Sequence, residues 1–197
     1  MNHLNINLNP IYNILFAPKV AFKDIFDRKD KHLFILIIVG CIWHTFNNAT
    51  NYNSNARLWT SLIVSILISC LIGWVFLLAY SAVISWLAKL NGGSGSVRST
   101  FTVMAWSFFP GFIGILLYLL VISIFGSDVI KNSTAIGYLD VIRSILLIIN
   151  GLLNIWSLFI LVTGIIYVHQ ISVWRAILVI AIPFVAMLLI FSLLTLI

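Results

Sequence analysis

The chain has 197 residues, of which 62% are apolar and 8% are charged, and it contains no Glu. This composition cannot supply the solvated surface of a water-soluble domain of that length, so it indicates one polytopic membrane domain. The net charge of +6 is carried by residues at the ends of apolar runs, where membrane topology accounts for it, and we expect no nucleic-acid partner.

Residues 1–32 form a charged segment, expected to be cytoplasmic, ahead of the membrane domain of residues 33–197. Pro18 suits the first turn of a helix. The apolar face of that helix consists of Ala21, Phe22, Ile25 and Phe26. An apolar stripe opposite mixed charges predicts an amphipathic helix that lies on the bilayer surface. The alternative is a plain juxtamembrane linker.

Five apolar stretches predict an all-α bundle of five transmembrane helices. We place them at residues 33–47, 58–88, 103–125, 142–166 and 176–197. The second is about 46 Å long at 1.5 Å per residue, which exceeds a hydrocarbon core of roughly 30 Å, so it must tilt, bend or project. Pro110 is expected to kink the third helix, and Pro183 lies inside the fifth.

The basic residues predict the orientation of the helices. With the N-terminus inside, eight Lys and Arg residues fall in cytoplasmic segments and three in outer loops. The cytoplasmic eight are Lys19, Lys23, Arg28, Lys29, Lys31, Lys89, Arg98 and Arg175, and the outer three are Arg57, Lys131 and Arg143. This bias predicts a multi-pass protein with its C-terminus outside, in the cytoplasmic membrane if the source is a bacterium.

Small residues recur every four positions on the second helix, at Ser61, Ser65, Ser69 and Gly73. In lipid, small residues at this spacing permit close backbone approach between helices. The pattern therefore predicts a packing seam, which faces either another helix of the same chain or a second protomer.

Polar side chains share one face of the fourth helix, at Asn150, Asn154 and Ser157. This face is costly toward lipid and should point into the bundle. A counterpart on the third helix is formed by Ser107, Gly111, Gly114 and Tyr118. Such a face either ties helices together by hydrogen bonds or lines a path for a solute.

Residues suited to catalysis or metal binding are sparse. The chain has no metal-binding, serine-hydrolase or nucleotide-binding motif, so we expect no enzyme activity, metal or cofactor. Cys41 and Cys70 are interpreted as packing residues, and His44 and His169 as interfacial residues near opposite membrane faces. None of the apolar stretches contains a carboxylate, which argues against a proton- or sodium-coupled pump.

The loop after the second helix and the residues beyond it carry a family resemblance. Residues 92–100 read GGSGSVRST, and they are followed by Ala105, Trp106, Ser107 and Pro110. Further matching positions are Asn9, Pro10, Pro18, Phe22, Trp156, Ser172, Arg175 and Ala176. Together these residues resemble the Yip family, membrane proteins named for interacting with Ypt/Rab GTPases.

The resemblance implies five spans, a cytoplasmic N-terminus and no catalysis. Eukaryotic members have a longer cytosolic N-terminal region with an Asp-Leu-x-Gly-Pro-like motif, which this chain lacks, so Rab binding is not carried over. The short form is similar to the bacterial branch of the family. Membership of this kind indicates a fold more directly than an activity.

The cytoplasmic loop itself suggests a ligand. Glycines at positions 92, 93 and 95 allow backbone N–H groups to converge on an anion, and Ser96 can cap the following helix. Arg98 and Arg175 are expected at the same membrane surface, where guanidinium groups suit a phosphate. The predicted site for an anionic lipid headgroup or a partner comprises Gly92, Gly93, Gly95, Ser96, Arg98 and Arg175. The alternative is a flexible turn between two ordinary cytoplasmic anchors.

From these observations we expect a non-enzymatic membrane protein that organises partners or lipids. Its partners would be the bilayer, an anionic lipid, and a membrane protein or a second copy of the chain. A small transporter or channel that uses the polar face of the fourth helix is the alternative.

Overall fold

The computed structural model describes residues 10–28, 33–47, 58–126, 129 and 137–194. Its regular structure in these ranges is α-helical. The helices, in chain order, are α1 Pro10–Phe16, α2 Pro18–Arg28, α3 Leu33–Asn47, α4 Leu58–Leu90, α5 Val97–Ser107, α6 Phe109–Phe125, α7 Gly137–His169 and α8 Val173–Leu194. Lys29, Lys31, Arg57 and Lys131, which contributed to the predicted orientation, lie outside the described residues.

The apolar face of helix α2, which was expected to lie on the bilayer, packs against helix α7. Ala21 and Phe22 are 0% exposed and Ile25 is 2% exposed. The ring of Phe22 lies against Gly164 of α7, and Phe26 stacks on Tyr167 with ring centroids 6.0 Å apart. The expectation that this face contacts lipid is therefore corrected, because the C-terminal part of α7 covers it.

Helix α3 runs antiparallel to α4 and parallel to α6. Along α4, the Phe34 ring lies 6.0 Å from the Trp74 ring, while the Cys41 thiol lies 3.4 Å from the Ser69 carbonyl oxygen. Along α6, the side chain of Trp43 lies against Gly111 and Gly114. Farther along the same pair of helices, Phe46 stacks on Tyr118. The bounds of α3 agree with those predicted from the sequence.

The predicted third helix is broken ahead of Pro110 into α5 and α6. Phe108 N donates to Ala105 O at 3.2 Å, and Gly111 N donates to Phe108 O at 2.9 Å, so the ladder shifts to tighter three-residue bonds here. Proline has no N–H to donate and its ring clashes with the preceding turn, which explains the position of the break. The predicted kink is confirmed.

Four predicted spans have different bounds in the structure. The third begins at Val97 rather than residue 103, because Ser96 caps it with both bonds of a capping box to Ser99. The fourth covers Gly137–His169 rather than 142–166, and the fifth covers Val173–Leu194, with Pro183 inside it. The second extends two residues beyond its predicted end at 88, to Leu90.

Four segments of the described chain are long and apolar enough to cross a membrane by length and composition: 63–90, 97–125, 137–169 and 173–190. Their outer surface is also apolar, with Leu71, Val75 and Ile155 at least 65% exposed. Helix α3 is shorter, since its 15 residues span about 22 Å against a core of roughly 30 Å. These features make the chain a multi-pass integral membrane protein.

Candidate functional site

The glycine loop, residues 91–96, lies beside the connection between α7 and α8. Ser94 N donates to the carbonyl oxygen of His169 at 3.2 Å, and Arg175 Nη1 donates to that of Asn91 at 3.2 Å. The two connections are therefore neighbours at one end of the bundle. We call this end, formed by residues 90–98 and 169–175, the loop end.

Most N–H groups of the loop are bound to acceptors within the protein. Gly92 N donates to Lys89 O at 3.0 Å, and Gly93 N donates to Ala88 O at 2.8 Å. Ser96 N donates to Ser99 Oγ at 3.0 Å. With Ser94 also engaged, these donors cannot converge on an anion. The predicted backbone nest is therefore wrong for these residues, because the loop closes the bundle with the same groups.

His169 fills the space beneath the loop and is 0% exposed. Its Nε2 lies 2.8 Å from Thr100 Oγ1, which also lies 3.0 Å from the Ser96 carbonyl oxygen. A threonine hydroxyl has a single hydrogen to donate. When Thr100 donates it to the Ser96 carbonyl oxygen, Nε2 of His169 is the donor to Thr100 Oγ1. Nδ1 has no hydrogen-bond partner among the described residues. The interpretation of His169 as an interfacial side chain is therefore wrong.

The approach of the loop to His169 explains the glycine at position 95. A Cβ built on Gly95 would lie 2.7 Å from both Cε1 and Nδ1 of the imidazole, closer than packed carbon and nitrogen atoms come. Gly92 has φ +84°, a conformation that favours glycine. The loop is thus a tightly fitted cover rather than a flexible turn.

Arg98 and Arg175 are the exposed cations of the predicted headgroup site. Arg98 lies in the first turn of α5 and Arg175 in the first turn of α8, and both residues are exposed. Because both helices begin at the loop end, the two side chains belong to one surface of the bundle. Lys89 in the last turn of α4 is also exposed there.

The polar face of α7 contributes one interhelical hydrogen bond. Trp43 Nε1 donates to Asn150 Oδ1 at 2.9 Å, and both side chains are buried. Gly114 makes room for this pair, since a Cβ there would lie 2.6 Å from Trp43 Nε1. Asn154 is exposed and its amide donates to the Asn150 carbonyl oxygen of its own helix. The hydroxyl of Ser157 is buried without a partner among the described residues.

The small-residue seam of α4 divides along its length. Ser69 and Gly73 face α3, where a Cβ on Gly73 would lie 3.4 Å from the Cys41 sulfur. Ser81 and Ser85, which continue the series, are 0% and 1% exposed. Ser65 is partly buried, and the side chain of Ser61 lies outside the described part. The middle of the seam therefore packs within the chain.

Two residues of these sites escaped the sequence reasoning. Thr100 lies in the polar stretch ahead of the third predicted span but is hydrogen-bonded to His169. Trp43 lies near the polar end of the first predicted span but is 4% exposed. The signal for Trp43 was present in Gly111 and Gly114, which lie on one face of α6 at a spacing of three residues. The described residues contain no group of three or more His, Cys, Asp or Glu side chains that could hold a metal ion.

Comparison with known proteins bears on the whole chain. No curated protein and no solved structure matched it. The family model described as the Yip1 domain matches residues 12–194, a range that includes all the spans, the loop end and the Trp43–Asn150 pair. The chain therefore belongs to the Yip family.

Proposed function

We propose that the protein is a non-enzymatic, Yip-type membrane protein that organises lipids by holding an anionic headgroup at the loop end. The supporting observation is the fitted loop, which fixes the starts of α5 and α8 and so holds Arg98 and Arg175 on one surface. Guanidinium groups pair with phosphate oxygens in a bidentate manner. Anionic lipid is the phosphate source present at that depth.

The proposed site uses side chains rather than the backbone. Four loop N–H groups already bind acceptors in the flanking helices, so the affinity must come from Arg98 and Arg175. Arg175 already donates from Nη1 to Asn91 O, a contact that orients its guanidinium group. Pre-orientation lowers the entropic cost of binding, and this distinguishes Arg175 from a freely rotating positive-inside anchor.

The experiment replaces Arg98 and Arg175 with Lys, which keeps the charge for topology but removes bidentate pairing. Native mass spectrometry of protein from vesicles of mixed phosphatidylglycerol and phosphatidylcholine should show several-fold weaker retention of the anionic lipid. Arg143→Lys is the matched control, because Arg143 lies near the start of α7 and pairs with Asp140 at 3.0 Å. Equal retention in all three proteins would return both residues to the role of topological anchors.

The topology we propose has five spans, with the N-terminus inside and the C-terminus outside. Four segments of the described chain are long enough to cross the membrane, and α3 is the additional span in this topology. It runs antiparallel to α4, and its Trp43 and Phe46 lie toward the end of the bundle opposite the loop. Reporter fusions after Lys31, within residues 91–96 and at the C-terminus should read inside, inside and outside. An inside reading at the C-terminus would contradict the five-span model.

The transporter alternative depends on the polar face of α7. Asn150 is occupied by Trp43 and confined by Gly114, so the contacts of this residue favour a tie between helices. Replacing Asn150 and Asn154 with Leu should lower thermal stability. Loss of a solute flux in reconstituted liposomes at normal folded yield would favour the transporter instead.

A further inference from the structure

An apolar cavity of about 670 Å³ lies between α3, α4 and α8, at a distance from the loop end. Its floor includes Met104 and Phe108 from the α5–α6 break, and its walls include Ile37 of α3 and Met187 of α8. The volume lies in the range of small-molecule sites, roughly 300–1,000 Å³.

Three polar side chains that line the cavity already donate hydrogen bonds within the protein. Tyr80 OH donates to the Ile180 carbonyl oxygen at 3.0 Å, and Ser107 Oγ donates to that of Met104 at 2.7 Å. The Cys41 thiol is directed to Ser69 O. Because these three hydrogens have acceptors, an occupant would gain no hydrogen bond from them, and the surface they leave is apolar.

The length of the cavity is close to that of an acyl chain in one leaflet. Its lining extends along α4 from Ile68 to Tyr80, which is about 18 Å at 1.5 Å per residue. The length is close to one leaflet of hydrocarbon, about half of a 30 Å core.

The cavity is continuous with the lipid-facing surface. Ile72, Phe76 and Phe184 form its rim and are 63%, 51% and 51% exposed. Residues with this exposure on helices that cross a bilayer contact acyl chains, so a chain can enter sideways without crossing a polar barrier.

We propose that this cavity binds one acyl chain of a membrane phospholipid, in the leaflet opposite the loop end. His44, an exposed lining residue of α3, lies toward the end of that helix where a headgroup would remain outside. This site is separate from the headgroup site of Arg98 and Arg175. The protein would then hold lipid from both leaflets.

The test uses phosphatidylcholine with a photoactivatable diazirine in one acyl chain, incorporated into vesicles with the purified protein. Ile72→Trp fills the mouth of the cavity, and Leu71→Trp is the matched control on the same helix, 75% exposed and outside the lining. Adducts should concentrate on Phe76 and Tyr80 in the parent and in Leu71→Trp, and fall several-fold in Ile72→Trp. Both changes are at exposed positions, and equal unfolding midpoints will verify that both variants are folded.

Two results would overturn the proposal. Adducts equally abundant on Ile148 and Ile155, which are 64% and 65% exposed on α7, would indicate ordinary contact with bulk lipid. The second result is a parent protein that forms a dimer and gives no such adducts, together with loss of that dimer in Ile72→Trp. It would assign the cavity to a second copy of the chain. Neither result depends on Arg98 or Arg175, so the headgroup experiment is decided independently.

Discussion

The hydrogen bond between Trp43 and Asn150 connects α3 to α7 and gives a measurable prediction. Replacing Asn150 with Leu removes the acceptor and leaves the indole N–H buried. A buried donor without a partner costs about 1–3 kcal/mol. Interhelical hydrogen bonds in membranes contribute about 0.6 kcal/mol on average and up to ~1.7, since the unfolded state in the membrane also finds partners. We expect Asn150→Leu to lower the free energy of unfolding by about 1–2 kcal/mol.

A double-mutant cycle separates the hydrogen bond from the packing of the ring. Trp43→Phe removes the donor together with the larger ring that lies against Gly111 and Gly114, so its own cost includes lost contacts. In the double mutant, replacing Asn150 leaves no buried indole N–H without an acceptor, because Trp43 is already Phe. The two changes should therefore be non-additive, with a coupling of about 0.6–1.7 kcal/mol.

The assay is equilibrium unfolding by sodium dodecyl sulfate in mixed micelles, followed by intrinsic fluorescence. Asn154→Leu is the matched control, one turn away, because that exposed amide donates only within its own helix among the bonds described here. Its effect should lie within about 0.5 kcal/mol. Equal costs for the two Asn replacements, or zero coupling in the cycle, would refute the assignment of Asn150 as an interhelical tie.

Two further comparisons use the same unfolding assay. Thr100→Val removes the hydroxyl beside His169 and should lower the free energy of unfolding by about 1–3 kcal/mol. The control is Thr102→Val, whose hydroxyl bonds within its own helix, and it should change stability by less than about 1 kcal/mol. Equal effects would contradict the role given to His169. Gly164→Ala should destabilise the protein by about 1–3 kcal/mol, because the added Cβ would meet the side chains of Val103 and Phe22. Gly151 has open space around it, so Gly151→Ala should stabilise the protein by up to about 1 kcal/mol. A stabilising Gly164→Ala would exclude close packing at this position.

The sequence was sufficient to predict features that depend on local chemistry. The break ahead of Pro110 follows from the missing N–H, and the capping role of Ser96 follows from its short polar side chain. The bounds of α3 follow from the apolar run between residue 33 and the Asn-rich loop. Each of these features is determined within one or two turns of the chain.

Features that depend on a distant partner could not be predicted in the same way. An apolar stripe such as Ala21, Phe22 and Ile25 looks the same whether lipid or protein covers it. His169 likewise carries no signal in its own surroundings, because its burial depends on the glycine loop more than 70 residues earlier in the chain. The start of α5 was placed too late because the span was bounded by its apolar run, which begins after Arg98, Ser99 and Thr100, although Ser96 was recognised as a cap.

The shortness of α3 explains why the bundle depends on glycine and aromatic contacts. A helix about 8 Å shorter than the hydrocarbon core gains little from matching the bilayer, so protein contacts must determine its depth. Phe108 packs on Gly40, and Trp43 packs on Gly111 and Gly114, which fixes α3 against α6. The same short helix leaves α4 incompletely covered, and the apolar cavity lies there. The two proposed lipid sites thus lie where a fitted loop closes one end of the bundle and where its side is open to lipid.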